Sequence, residues 1–544
     1  PPGPGAGSST NGDQESPAVA IDREGIERRV LAFPIATGVY SRIRAARGRV
    51  YLLSHPSAGL LSHKEADPPT ARLESWDFAS DKLEPVCEGV VTFTVAGDGK
   101  VLAVRTGSAL RVVPVGWKEE KGGADKPGRD SGLIDLDRIR VEVIPGAEWR
   151  QMFDEAWRLQ RDFYWWEDMG GVDWLGIRRR YLDLVDRVAS RSEFSDLLWE
   201  MQGELGTSHA YELGGDYRPG PVWTQGQLGA DLEWSRGGWR VRRIPVGDSW
   251  EDHAASPLAE PGVGIMEGDR IIAIDARPVG QQTSPQSLLV ERAGRPVTLT
   301  VSANRRTRRV VVVPLADEFD LRYRDWVEGN RVTVAERTSG RAGYIHIPDM
   351  GPGGFAEFHR YWKSSVDLAG LVIDVRFNRG GNVSQLLIEK LVRRRIGYRV
   401  TRWRAPYAFP QDAPSGPMVC LTNENAGSDG DIFSHTFKLL GLGPLIGVRT
   451  WGGVVGIWPQ QSLVDGTVTT QPEFGTWFSD IGYGVENYGT EPDIEVVNRP
   501  QDYAAGRDPQ LERAITELLA IIARSPGVPP DFGPRPSVRP PLLG

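Results

Sequence analysis

The segment Asn423-Glu424-Asn425-Ala426-Gly427-Ser428-Asp429-Gly430 joins an apolar run, Met418 to Thr422, to an amphipathic one, Asp429 to Leu440. A serine on such a turn stands beside a helix N-terminus, where free backbone N–H groups and the helix dipole stabilise an oxyanion. The same pattern suits a serine that merely caps the helix, and the turn alone does not separate the two roles. A nucleophilic serine needs a base, commonly a lysine of depressed pKa or a histidine. No lysine follows Lys438, and Lys438 lies along the helix, with its side chain turned away from Ser428. Of the seven histidines, His55 and His63 fall in an N-terminal β region, His253 in a later β domain, and His346, His359 and His435 on regular elements. His209 stands in Gly206-Thr207-Ser208-His209-Ala210-Tyr211, a small polar stop after a long amphipathic run, and is the best-placed base. A lone histidine at such a boundary is more often structural, so the residue types alone leave its role open.

These residues need a scaffold, and 544 residues exceed one hydrophobic core; at roughly 150 residues per domain, three or four domains are expected. After a Gly/Pro/Ser-rich opening at 1–28, residues 29–116 carry short apolar strands between turn signals, as in Val50-Tyr51-Leu52-Leu53 and Val101 to Val104. This reads as β-meander spaced like propeller blades, about two of them, where a closed ring needs at least about four; a small sheet is an equal alternative. A charged linker, 117–146, leads to a helical subdomain, 147–218, with Met152, Ala156, Trp157, Leu159 and Phe163 at helical spacing. Residues 219–315 return to strands, and their Gly268-Asp269-Arg270-Ile271-Ile272-Ala273-Ile274-Asp275 stretch resembles a PDZ domain. From 319 to 505 strands and helices alternate, which predicts an α/β core. A C-terminal helix at 506–524 and a Pro-rich tail at 525–544 follow. The fold class expected is multidomain α+β: a partial propeller or meander, a helical subdomain, a PDZ-like β domain and an α/β catalytic core.

A net charge of -8 argues against an electrostatic nucleic-acid binder, despite local runs such as Arg393-Arg394-Arg395. Two cysteines, Cys87 and Cys420, are too few for a disulfide framework and fit a reducing compartment. No uncharged apolar run reaches the roughly 18 residues that span a bilayer, and the opening is not signal-like. The first residue is not Met, as expected of a piece of a longer protein.

Six motifs occur in a telling order: Gly206-Thr207-Ser208-His209, the PDZ-like insert, Asp374-Val375-Arg376-Phe377-Asn378-Arg379-Gly380-Gly381, Ala426 to Asp431, Thr450-Trp451-Gly452-Gly453-Val454-Val455-Gly456 and Gly484-Val485-Glu486-Asn487-Tyr488-Gly489. Together they resemble the C-terminal half of the tricorn proteases, serine peptidases related to the C-terminal-processing proteases. The resemblance implies a tetrad in which Ser428 attacks a peptide carbonyl, His209 carries the proton, and Ser208 with Glu486 orients the base. It also implies an oxyanion hole from the backbone amides of Gly381 and Asp429, with no metal or organic cofactor. Where the family has an acid that selects basic P1 residues, this chain has Arg399; acidic or neutral P1 side chains are then expected. Peptide substrates, homo-oligomers in the form of hexamers, a cytoplasmic location, and downstream aminopeptidases are further implications. A PDZ-based peptide-binding scaffold in which Ser428 is only a cap is the alternative function.

Overall fold

In the computed structural model the described residues are 21–29, 33–56, 71–119, 126–218, 220–248, 251, 254–303, 306–524 and 530–536. His63, His253, the opening before residue 21 and most of the Pro-rich tail lie outside them. The chain divides into two units, Pro1–Val141 and Glu142–Gly544.

The first unit is an antiparallel sheet of seven strands in sequence order: β1 (Val39–Ala46), β2 (Arg49–His55), β3 (Ala71–Asp77), β4 (Lys82–Val95), β5 (Val101–Thr106), β6 (Ala109–Pro114) and β7 (Leu133–Ile134). The run Val50 to Leu53 is apolar throughout because both faces of β2 are covered. Tyr51 and Leu53 join a cluster with Leu73, Phe93 and Leu102, whereas Val50 and Leu52 pack on Trp76 from the other side. The strands read as about two blades or as a small sheet are hydrogen-bonded into one series, since the long β4 pairs with β3 through its first half and with β5 through its second. The sheet also reaches into the stretch read as linker, where Leu133 and Ile134 pair with β6.

The second unit opens with three helices, α1 (Pro145–Phe163), α2 (Trp174–Val185) and α3 (Arg191–Gly203). Proline at the first turn costs α1 no hydrogen bond. Met152, Phe153, Ala156 and Leu159 make its buried stripe against Trp174, Phe194, Leu198 and Met201. Trp157 and Trp174 exchange indole N–H to carbonyl bonds of 2.8 and 3.0 Å, tying α1 to α2. The PDZ-like sheet follows, with strands Arg306–Val312, Val297–Ala303, Arg270–Ile274, Gly238–Arg243 and Asp231–Ser235 side by side and antiparallel.

The α/β core is a parallel sheet in the order Ala342–His346, Gly370–Asp374, Met418–Thr422, Leu445–Gly447 and Ile494–Glu495. The first three strands are buried at every position, because helices cover both faces. Ile345, Ile373 and Cys420 face Phe358, Trp362, Leu387, Phe433 and Phe437. Tyr344, Val372, Val419 and Leu421 face Val327, Val334, Leu511, Ile515 and Leu518. The helix Ser384–Leu391 is followed by a hairpin, Gly397–Arg399 with Tyr407–Phe409. At the carboxyl end of the sheet the buried Arg376 pairs with Asp374 at 2.7 Å and with Asp508 at 2.8 Å. This holds the segment leading to Asn378 against the C-terminal helix Pro509–Arg524.

Candidate active site

Two parallel neighbours, Gly370–Asp374 and Met418–Thr422, deliver adjacent loops at their carboxyl ends, where ligands of open α/β sheets bind. The loops are laced together: Phe377 N donates to Asn423 Oδ1 at 2.9 Å, and Gly427 N donates to the Asn378 carbonyl at 3.0 Å. Ser428 then turns the chain into the helix Asp429–Leu439 at φ 56°, ψ -121°, and its side chain makes no capping hydrogen bond. For a residue with a Cβ this backbone is strained by about 1–3 kcal/mol. A capping serine adopts extended backbone and spends its oxygen on the helix amides; Ser428 does neither, and among the described residues its hydroxyl has no hydrogen-bond partner.

Gly380 and Gly381 make the opposite wall. A Cβ on Gly380 would stand 2.5 Å from the Ser428 Cβ, and one on Gly381 would stand 2.1 Å from the Met350 carbonyl oxygen. Their φ values, 76° and 146°, also favour glycine. Met350 bridges the neighbours of Gly381, donating to Gly380 O at 2.7 Å and accepting from Asn382 N at 2.8 Å. The Gly381 N–H is therefore not consumed by this bridge. Asp429 is the first residue of its helix, so its N–H has no intrahelical acceptor. Its buried carboxylate caps another turn, accepting from Ser384 N at 2.9 Å. Burial raises the Asp429 pKa against the opposing bonds from Ser384.

His209 arrives from α3 through Gly206-Thr207-Ser208. It is buried and left-handed at φ 63°. Thr470 holds this backbone by donating its hydroxyl to the His209 carbonyl while accepting from Tyr211 N at 2.7 Å. Ser208 Oγ lies 2.7 Å from His209 Nδ1 and donates to Glu486 Oε2 at 3.2 Å. With its own proton committed to Glu486, Ser208 accepts from His209, which places the imidazole hydrogen on Nδ1 and leaves the Nε2 lone pair free. Glu486 is held by further donors: Ser208 N at 2.7 Å, Thr207 Oγ1 at 3.0 Å, Val454 N at 2.6 Å and Val455 N at 3.0 Å. Burial lowers the His209 pKa below 6.5, with the Glu486 charge opposing, so the ring is neutral at pH 7.

A cleft of about 430 Å³ collects His209, Tyr211, Asn378, Arg379, Glu424, Asn425, Gly427, Ser428 and Trp451. The Trp451 ring meets His209 edge-on, centroids 5.6 Å apart. In the first turn of the helix after Ser428, Asp431 accepts from Gly452 N at 2.9 Å, while its Oδ2 is buried without a hydrogen-bond partner among the described residues. Burial pushes its pKa up to about 6, only partly offset by the Thr450 hydroxyl and the backbone N–H groups of Gly452, Gly453 and Ser428.

The structure thus joins Ser208, His209 and Glu486 in one hydrogen-bonded chain and puts Ser428 in the same cleft as the imidazole. The Arg399 guanidinium lies over the Phe409 ring at 5.3 Å within the hairpin, and Arg399 is not among the residues lining this cleft of the single chain. The cation that does line the cleft is Arg379. Sequence reasoning missed Thr470, Asp431 and Arg379 as site residues. The last two sit inside motifs that were recognised, whereas Thr470 carries no local signal.

Three stretches match known families: residues 145–203 the Tricorn protease C1 domain, 226–317 the Tricorn protease PDZ domain, and 341–496 Peptidase family S41. In this order the three domains are similar to those of the tricorn proteases. Tricorn protease homolog 1 of Streptomyces coelicolor is 47% identical over 527 residues, covering 95% of this chain and 49% of the homolog. The putative tricorn-like protease C-terminal subunit of Sulfurisphaera tokodaii is 44% identical over 503 residues, covering 92% of this chain and 58% of that protein. A crystal structure of the tricorn protease superposes with a TM-score of 0.83 at 36% identity, over 94% of this chain and 49% of the tricorn chain. The chain spans about half the length of the curated relatives it matches. Among the described residues no helix is long and apolar enough to cross a membrane.

Proposed function

We propose that the chain is a serine endopeptidase acting on short or unfolded peptides. Ser428 Oγ attacks the peptide carbonyl as His209 Nε2 takes its proton, and the oxyanion forms against the N–H groups of Gly381 and Asp429. His209 passes the proton to the leaving amine as the C–N bond breaks, leaving an acyl ester on Ser428. His209 then deprotonates a water, which hydrolyses the ester and returns the hydroxyl. Ser208 and Glu486 keep the imidazole in its Nδ1–H tautomer and stabilise the imidazolium formed in each half-reaction.

The observation that carries this reading is the uncapped Ser428 hydroxyl on strained backbone, facing a cleft shared with a neutral histidine whose Nδ1 is already engaged. By family resemblance the chain works in the cytoplasm as a hexamer, downstream of a larger protease and ahead of aminopeptidases. The name of the Sulfurisphaera tokodaii relative, a C-terminal subunit, supports a chain that acts with other chains. The test is labelling by a fluorophosphonate probe, followed by hydrolysis of fluorogenic peptides with Arg, Leu and Asp at P1. Labelling lost in Ser428→Ala and strongly slowed in His209→Ala supports the proposal. Labelling that persists in Ser428→Ala, or none in wild type, favours the PDZ-based peptide-binding scaffold.

A further inference from the structure

Apart from His209, the cleft-lining residues of formal charge among the described residues are Arg379 and Glu424. Both are exposed, and they sit on the two laced loops, one just before the glycine wall and the other just before Ser428. Their backbones are fixed: Arg379 N donates to Pro348 O at 3.0 Å, and Glu424 follows Asn423, whose side chain also binds Asn425 N at 3.2 Å. Their side-chain charges are not consumed. Among the described residues neither makes an ion pair or a side-chain hydrogen bond, and the Arg379 guanidinium only rests over the Phe319 ring at 4.9 Å. The chain pairs many of its surface arginines with carboxylates, as in Arg322 with Glu318 or Arg513 with Glu517. An opposed pair kept apart within a peptide-sized cleft leaves both charges for a ligand. A guanidinium parked on an aromatic face stays weakly hydrated and ready to take a carboxylate through two N–H groups.

We infer that Arg379 and Glu424 read the charge of the peptide beside the scissile bond, Arg379 receiving a peptide carboxylate and Glu424 opposing it. The carboxylate is either an Asp or Glu side chain or the terminal α-carboxylate. This rests on the endopeptidase reading above.

The experiment uses the full chain as wild type, Arg379→Gln, Glu424→Gln and Arg399→Gln. Quenched-fluorophore peptides are compared in pairs: Asp against Asn at each position flanking the bond, and a neutral peptide with a free against an amidated C-terminus. The readout is the ratio of kcat/KM for each carboxylate peptide over its amide twin. The same ratio of equilibrium affinities is measured with Ser428→Ala, so the inference is tested even if peptide cleavage fails. Arg379→Gln should lower the ratio roughly three- to tenfold, as expected for a partly exposed charge pair. Glu424→Gln should raise it by up to about threefold, both changes shrinking as salt rises to ~0.5 M. The peptide pair that responds identifies side chain or terminus as the source. A purely structural role would move both variants the same way. Shifts of one sign, a ratio unmoved by Arg379→Gln, or a ratio that collapses in Arg399→Gln would overturn the inference.

Discussion

Asp431 is a buried carboxyl in the first turn of the helix that Ser428 opens, and Asp431→Asn tests whether its charge is held there at a cost. The folded-state pKa is raised from 3.8 to about 6, chiefly by burial. A raised carboxyl binds its proton more tightly in the folded state, so its contribution to stability is fully present below pH 3.8 and lost as pH rises through about 6. The gap between 3.8 and about 6 corresponds to roughly 3 kcal/mol at neutral pH, at 1.36 kcal/mol per pH unit. Asparagine keeps an oxygen to accept from Gly452 N but cannot ionise, so any change in packing or hydrogen bonding appears as an offset independent of pH. The difference in unfolding free energy between variant and wild type should therefore grow in favour of Asn by about 2.5 kcal/mol between about pH 4 and pH 7.5. Urea unfolding of both proteins at several pH values in that range measures it. Parallel stability curves across the range would refute the reasoning, because they would mean that Asp431 carries no raised pKa in the folded state.

Activity should fall on the acid side as His209 is protonated, at a pH below 6.5, since burial lowers its pKa. Glu486→Gln removes the charge that opposes this lowering, so the residual kcat/KM profile should move its acid limb to still lower pH; a limb moving upward would contradict the assignment. Gly381→Ala puts a Cβ 2.1 Å from the Met350 carbonyl and displaces the proposed oxyanion donor. It should lower kcat by about 10²–10³-fold while circular dichroism stays near that of wild type, and a kcat near the wild-type value would remove Gly381 from the site.

Much of the scaffold could be read from residue patterns, because burial on one or both faces of an element is written in its local periodicity. The apolar runs at 342–346, 370–374 and 418–422 are continuous since helices cover both sides of their sheet, and the spacing of Met152, Ala156 and Leu159 marks the inner stripe of α1. Ser428 and its turn were visible for the same reason, as a polar, Gly-containing break between a buried strand and a helix. Whether that serine caps or attacks was not, since the choice lies in a backbone dihedral and an unused oxygen.

What the sequence determined by itself is the set of elements and the candidate nucleophile; what only the tertiary structure decided is which distant groups meet. Thr207 binds a carboxylate 279 positions away, and Thr470 holds the His209 carbonyl across 261. Arg399 and Arg379 are equivalent as cations on the page of the sequence, yet one stacks within a hairpin and the other lines the cleft. Asp431 reads as one more acid at a helix N-terminus until packing removes its water and raises its pKa. The physical reason is common to all three: local pattern records how an element meets solvent, whereas hydrogen-bond partners, desolvation and the approach of loops depend on surfaces brought together only by packing.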